Sequence, residues 1–170
     1  RIYADYTSHK LLQFQLNKFM SMIPKKAKVL DAGCGAGRDV SYLLEEGLDV
    51  IGIDIAEKLL EEAKKRVKEG KFLKMDLFDL RFPDKNFDGI WCMATLADFE
   101  KKDTPKVLSN FNKVIKEDGV IYIAVKEGEG EQVIVDIVKN RQKGIIEGIK
   151  TENLDDLPMP ARYKLPLEKY

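Results

Sequence analysis

The sequence predicts a doubly wound α/β sandwich, in which a mostly parallel sheet is covered by helices on both faces. Three observations carry that expectation. Apolar runs of strand length alternate with segments of helical periodicity, a glycine-punctuated turn follows the first run directly, and acids stand behind the second and third runs. Strands separated by helical segments imply βαβ units and a parallel sheet, and right-handed crossovers then fix three layers.

The elements follow in order. Leu11, Leu12, Phe14, Leu16, Phe19, Met20 and Ile23 are spaced for an amphipathic helix that Pro24 stops. Residues 28–31 read as a buried strand. Val40, Leu43 and Leu44 mark one face of a helix over about 39–46, with Gly47 as its stop. Residues 50–53 form the next strand, ending at Asp54. Leu59, Leu60, Ala63 and Val67 form the inner stripe of a helix over 56–69, which Gly70 terminates. A short strand over 72–75 ends at Asp76. The turn at Pro83, Asp84, Lys85 and Asn86 leads into a strand over 87–92. Residues 104–116 read as a helix, 116–119 as a turn and 120–125 as an apolar strand. Beyond them the stretch 132–150 fits either one helix or two short strands, and the tail with Pro158, Pro160 and Pro166 reads as irregular.

Composition narrows the class. At 170 residues, 44% hydrophobic and 34% charged, the chain is expected to fold as one domain with a substantial core. No apolar run approaches the roughly 20 residues of a membrane span, and no partner membrane is expected. Basic and acidic residues number 29 each, so the net charge of +0 gives no support to nucleic-acid binding. The start at Arg1 carries no basic-then-apolar signal pattern, and since it is not Met the reading allows for native residues before it. The two cysteines, Cys34 and Cys92, have no metal spacing and suggest no disulfide framework, which fits a reducing cytoplasm.

The chemistry concentrates in residues 29–37, Val-Leu-Asp-Ala-Gly-Cys-Gly-Ala-Gly. Glycines here let a backbone turn tightly and approach a ligand where a Cβ would collide. The following helix start would aim unpaired N–H groups at the same place. A dinucleotide loop needs a third glycine where Arg38 stands, and a phosphate loop needs Gly-Lys-Ser/Thr; neither is present. Asp54 is suited to accept from both hydroxyls of a ribose, and Asp76 from an adenine amino group. Ile55, Met75 and Leu77 beside them are suited to sandwich a flat base. The glycine loop, both acids and the segment after Cys92 all follow strands, so they converge on one sheet edge, where such folds bind ligands. A ligand with adenosine at one end and an amino acid at the other fits the layout. Asp31 has a plainer reading as a brace of the loop. Asp54 has one as a helix N-cap, completed by Glu57 as a capping box.

The segments VLDAGCGAGRD (29–39), VIGIDIAEKLLEEAKKR (50–66), FLKMDLFDLRFPDKNFDGIWC (72–92) and VLSNFNKVIKEDGVIYIAV (107–125) resemble, in order and spacing, the class I S-adenosylmethionine-dependent methyltransferases. The resemblance runs from about residue 3 to 131 and implies a Rossmann-like fold with S-adenosylmethionine as cofactor. It implies that Asp31, Gly33, Cys34 and Gly35 surround the methionine portion, that Asp54 holds the ribose and that Asp76 holds the adenine amino group. Cys92 and Met93 would lie alongside the methyl-transfer point, and Tyr3 and Tyr6 resemble lid residues. No His or basic neighbour makes Cys92 a nucleophile, and His9 reads as a packing or surface residue. No general base is evident. Asp98 stands where many similar family members have histidine, and it suits either a base or a helix-capping acid. The family's further helix and antiparallel hairpin have no clear counterpart after the fifth strand, so the C-terminal part reads as abbreviated or diverged. The expected organisation is a single domain over 1–170, with an N-terminal helix and lid (1–24), a core (25–126) and a diverged C-terminal segment (127–170). The expected activity is methyl transfer to a small molecule by in-line displacement. Cofactor binding without turnover and RNA methylation are the alternatives.

Overall fold

The computed structural model describes residues 13–100, 102–127, 132–139 and 147–151. Helix α1 (Gln13–Ser21) leads to β1 (Lys28–Ala32), α2 (Arg38–Glu45), β2 (Asp49–Asp54), α3 (Glu57–Arg66) and β3 (Lys71–Lys74). The chain then crosses to β4 (Phe87–Met93), a 3-10 turn (Thr95–Asp98), α4 (Thr104–Val114) and β5 (Ile115–Glu127), followed by β6 (Gln132–Lys139) and β7 (Glu147–Thr151). The seven strands form one sheet in the order β3-β2-β1-β4-β5-β6-β7. The first five run parallel, and β6 and β7 each join antiparallel to their predecessor.

Two cores explain why the sheet is doubly wound. On one face Leu16 and Phe19 of α1, Val40 and Leu43 of α2, and Leu60 and Ala63 of α3 pack over Val29, Val50, Trp91 and Tyr122. On the other, Val107, Phe111 and Val114 of α4 pack over Leu30, Ile53, Ile90 and Cys92. A strand buried on both faces calls for apolar residues on both, and in β1 Val29, Leu30 and Ala32 supply them while buried Asp31 interrupts the run. Helix α2 ends where glycine permits: Gly47 takes a left-handed φ of 84°, its N–H reaches Leu44 O, and the Leu48 N–H reaches Leu43 O, so two terminal carbonyls are satisfied.

The structure departs from the sequence reading in three places and decides between its two alternatives in a fourth. Helix α3 stops at Arg66 rather than 69, with Val67 already outside the helix though still buried. Strand β3 ends at Lys74, so Asp76 stands two residues beyond it. The turn expected at 116–119 is the irregular opening of β5. There the pairing jumps from Phe87↔Ile115 to Gly89↔Val120, and Asp88 binds the Lys116 ammonium at 2.7 Å and the Lys28 N–H at 2.9 Å across the irregularity. Within 132–150, the described residues take the two-strand alternative. Val133, Ile134, Val135, Ile137 and Val138 are β-branched, which favours a pleated strand over a helix.

Candidate functional site

Strand β1 lies between β2 and β4, and the chain leaves it to wind first one way and then the other. At that switch the loop after β1 stands between the carboxyl ends of its two neighbours, where open α/β sheets take their ligands. A cavity of about 450 Å³ opens there, lined among others by Gly33, Gly35, Asp54, Asp76, Thr95 and Phe99. Ile55, Met75 and Leu77 also line it. Its described walls carry the carboxylates of Asp54 and Asp76 and no Lys, Arg or His.

The loop owes its shape to a clamp. The N–H groups of Gly33 and Cys34 both donate to Ile53 O at 2.9 Å, the Gly35 N–H donates to Asp54 Oδ2 at 2.8 Å, and the Gly37 N–H donates to Cys34 O at 2.9 Å. Four of the loop's donors are therefore used inside the fold, and at Gly35 what the loop offers a ligand is room. Gly33 and Gly35 have φ of 87° and 53°, a region costly to residues with a Cβ. A Cβ on Gly33 would lie 2.0 Å from Thr95 Oγ1, whereas one on Gly35 would meet nothing within 4 Å.

Asp54 is not the N-cap of α3. That position is Ala56, without a side-chain bond, and Glu57 pairs with Lys74 at 2.8 Å rather than closing a capping box. Instead Asp54 Oδ1 accepts the Ala56 N–H at 2.8 Å while Oδ2 holds the glycine loop. Asp76 Oδ1 accepts the Phe78 N–H at 2.9 Å, which turns the chain sharply after β3. Ile55 is 66% exposed, an apolar side chain left open beside the cavity.

Asp31 lies on the α1/α2 face of the sheet, opposite Gly52 and Trp91, and is 2% exposed. Its Oδ2 has no hydrogen-bond partner. Burial pushes its carboxyl well above the usual range; the Asp39 carboxylate reinforces the shift and the Arg38 guanidinium opposes it. Cys34 and Cys92 are both buried, Cys34 in the core under α2 and Cys92 in the core under α4. Burial raises both thiols, Cys92 to about 12, so neither is poised as a nucleophile. Tyr3 and Tyr6 lie outside the described residues, as does the side chain of Asp98.

The sequence marks the segment after Cys92 only as a whole, without singling out Thr95 or Phe99, and Phe78 and Asn110 carry no sequence signal. Thr95 donates its hydroxyl to Ala32 O at 3.1 Å, 63 residues away, closing the floor of the site. Phe78 and Phe99 meet edge to face at 5.1 Å. Asn110 on α4 donates to Leu77 O at 2.8 Å, and the Lys106 ammonium lies 5.3 Å from the Phe78 ring centre, so α4 fixes the segment after β3.

Residues 29–119 match the family model described as a methyltransferase domain. The chain belongs to that methyltransferase family. Within the family it is 37% identical over 99 residues to the demethylmenaquinone methyltransferase of Thermotoga maritima, covering 56% of this chain and 42% of that protein. It is 30% identical over 127 residues to the S-adenosyl-L-methionine-dependent Diels-Alderase iccD of Talaromyces variabilis, covering 69% of this chain and 43% of that one. Among solved structures, a TehB-like SAM-dependent methyltransferase from Corynebacterium glutamicum superposes with a TM-score of 0.61 at 30% identity, covering 68% of this chain and 62% of that one. The chain spans about half the length of the curated relatives it matches. S-adenosylmethionine is the family's cofactor, and this methyltransferase domain fits it. The fit rests on open space over Gly35, an acid at the end of β2 and another two residues past β3, and apolar walls between them.

Proposed function

We propose that this chain is an S-adenosylmethionine-dependent methyltransferase that transfers a methyl group to a small-molecule acceptor by in-line displacement. The observation that carries the reading is the gathering of Gly33, Gly35, Asp54 and Asp76 around one cavity at the switch of strand order. Asp54 would hold the ribose and Asp76 the adenine amino group, with Ile55, Met75 and Leu77 against the base. Asp31, Gly33, Cys34 and Gly35 would surround the amino-acid end. Met93, the last residue of β4 and part of the cavity wall, and Cys92 before it would flank the transfer point.

The cofactor supplies an activated methyl group together with its own leaving group. What remains for the protein is to hold the acceptor in line and to keep water out, and orientation of this kind contributes on the order of 7–11 kcal/mol in favourable cases. Phe78 and Phe99 supply apolar wall for that purpose. A base is needed only if the acceptor is protonated and weakly nucleophilic; Asp98 is the candidate, with Tyr3 and Tyr6 as the proposed lid. A small-molecule acceptor is supported by the name of the Thermotoga relative. A net charge of +0 gives no support to RNA. Among the described residues no helix is long and apolar enough to cross a membrane; a cytoplasmic location and a single-domain organisation belong to the proposal.

The Diels-Alderase relative favours a second reading, in which the cofactor pocket is kept and no methyl is transferred. Calorimetry with S-adenosylmethionine and S-adenosylhomocysteine, followed by a tritium-methyl screen of metabolites, tRNA and protein, separates the two. Saturable binding with label entering the metabolite pool is the expected result. Binding without transfer to any pool selects the second reading, and no binding of either compound overturns both.

A further inference from the structure

Thr95 fills the place that a side chain on Gly33 would take. A Cβ on that glycine would fall 2.0 Å from Thr95 Oγ1, 2.5 Å from its Cγ2 and 2.7 Å from its Cβ. The Thr95 hydroxyl donates to two carbonyls, Ala32 O at 3.1 Å and Met93 O at 3.2 Å. Ala32 directly precedes Gly33, and Met93 is the last residue of β4. One side chain thus joins the base of the glycine loop to the start of the segment after β4. Both Gly33 and Thr95 line the cavity.

This joint is continuous with the clamp on the loop. Asp54 holds Gly35, Ile53 O holds Gly33 and Cys34, and Gly33 bears on Thr95. Direct contacts therefore run without a gap from the end of β2, through the loop after β1, to the turn after β4. At the far end stands Ala94, also in the cavity wall, whose φ of 61° is left-handed and costly to a residue with a Cβ. Such a turn persists only while its surroundings hold it. Its ties are the Ala94 N–H, which donates to Ala124 O at 2.8 Å, and the two Thr95 bonds. A local brace would need Met93 O alone; the bond to Ala32 O ties the turn to the cofactor side.

We propose that Thr95 is a positioning residue that couples the cofactor loop to the acceptor side of the cleft. A cofactor packed on Gly33 and Gly35 presses the loop against Thr95 and firms residues 93–99. That segment carries Met93, at the proposed transfer point, and Asp98, the candidate base. The cofactor therefore binds first and completes the acceptor site. By linkage a docked acceptor tightens the cofactor by the same factor. The inference rests on the cofactor reading above.

Amide hydrogen exchange on the full chain, read by mass spectrometry with and without saturating S-adenosylhomocysteine, tests the coupling. Peptides over 93–99 report the turn, and peptides of α1 report the general stabilisation that any ligand brings. In the wild-type chain the ligand is expected to slow exchange at 93–99 at least about fivefold more than in α1. Thr95→Val keeps the shape and removes the hydroxyl; it is expected to bind the ligand and lose that extra slowing. Thr95→Ser, which keeps the hydroxyl, is expected to retain it. A structural brace alone would lower the stability of the valine variant and leave the ligand's effect on 93–99 unchanged. Should the valine variant not fold, Thr95→Ala serves as the hydroxyl-free comparison. Absence of the extra slowing in the wild-type chain, its loss in Thr95→Ser, or its persistence in the hydroxyl-free variant overturns this inference and leaves the cofactor reading standing. If S-adenosylhomocysteine does not bind the wild-type chain, both fall.

Discussion

The Oδ2 oxygen of Asp54 accepts the backbone N–H of Gly35 across 19 residues of sequence, at 2.8 Å. One carboxylate at the end of β2 thereby sets the height of the glycine loop at the end of β1, while its other oxygen turns the chain into α3. The residue proposed to hold the ribose is also what holds the loop. Asp54→Ala should therefore lower both stability and affinity. Loss of two hydrogen bonds to a charged group predicts a drop of about 2–4 kcal/mol in urea unfolding. S-adenosylhomocysteine affinity should fall further than the stability loss explains.

The two glycines of the loop differ in what a methyl group would meet, and their alanine variants should differ accordingly. At Gly35 the space is open, so the left-handed backbone alone predicts a loss of about 1–2 kcal/mol. At Gly33 the new Cβ would collide with Thr95, a side chain fixed by bonds to Ala32 O and Met93 O. Gly33→Ala should thus cost about 3 kcal/mol or more. Adding Thr95→Ala should recover part of that loss, a non-additivity read from a double-mutant cycle by chemical denaturation.

Asn110 touches the wall only through the backbone of Leu77. Asn110→Ala should loosen the segment from Asp76 to Phe78 and weaken 5′-methylthioadenosine binding about fivefold, the worth of roughly one hydrogen bond. Titration calorimetry measures it.

Acid should attack the sheet at Asp88. Burial alone would raise its carboxyl, but the Lys116 ammonium and the Lys28 N–H outweigh burial and hold it below the usual carboxylate range. A folded-state value below the unfolded one gives stability that is present above about pH 4 and lost as pH falls through the folded value. Urea midpoints measured from pH 7 to pH 3 should fall at the acid end, and Asp88→Asn, less stable at pH 7, should show a shallower decline.

Both thiols should be silent in the native protein. Cys92 is fully buried, with its thiol raised to about 12, and burial also raises Cys34. Ellman's reagent at pH 8 should label neither at a useful rate until denaturant is added, and both afterwards.

The parallel half of the fold was readable because its strands are buried on both faces and its helices on one, which writes two distinct apolar periods into the sequence. Lys116, Glu117, Asp118 and Gly119 have the composition of a turn, yet they open β5 because Lys116 is tied across the sheet to Asp88. The stretch after residue 132 was ambiguous since its apolar, largely β-branched positions fall on a helical spacing while their branching favours a strand. In the site, the glycines and the acids at strand ends were visible because backbone conformation and ligand chemistry restrict residue type there. Thr95 and Phe99 were placed only with the segment after Cys92, and Phe78 and Asn110 not at all: their individual roles exist only once β4 and α4 are docked, and many residue types could stand in their places.

Trp91 reaches Asp39 across 52 residues, and Thr95 reaches Ala32 across 63. No short stretch of chain therefore contains a usable half of the cleft, and a partly assembled sheet would offer a nucleoside little to hold. Such a ligand discriminates between finished and unfinished molecules, so a cell rich in it would shield completed copies from proteases while leaving stalled ones to be cleared.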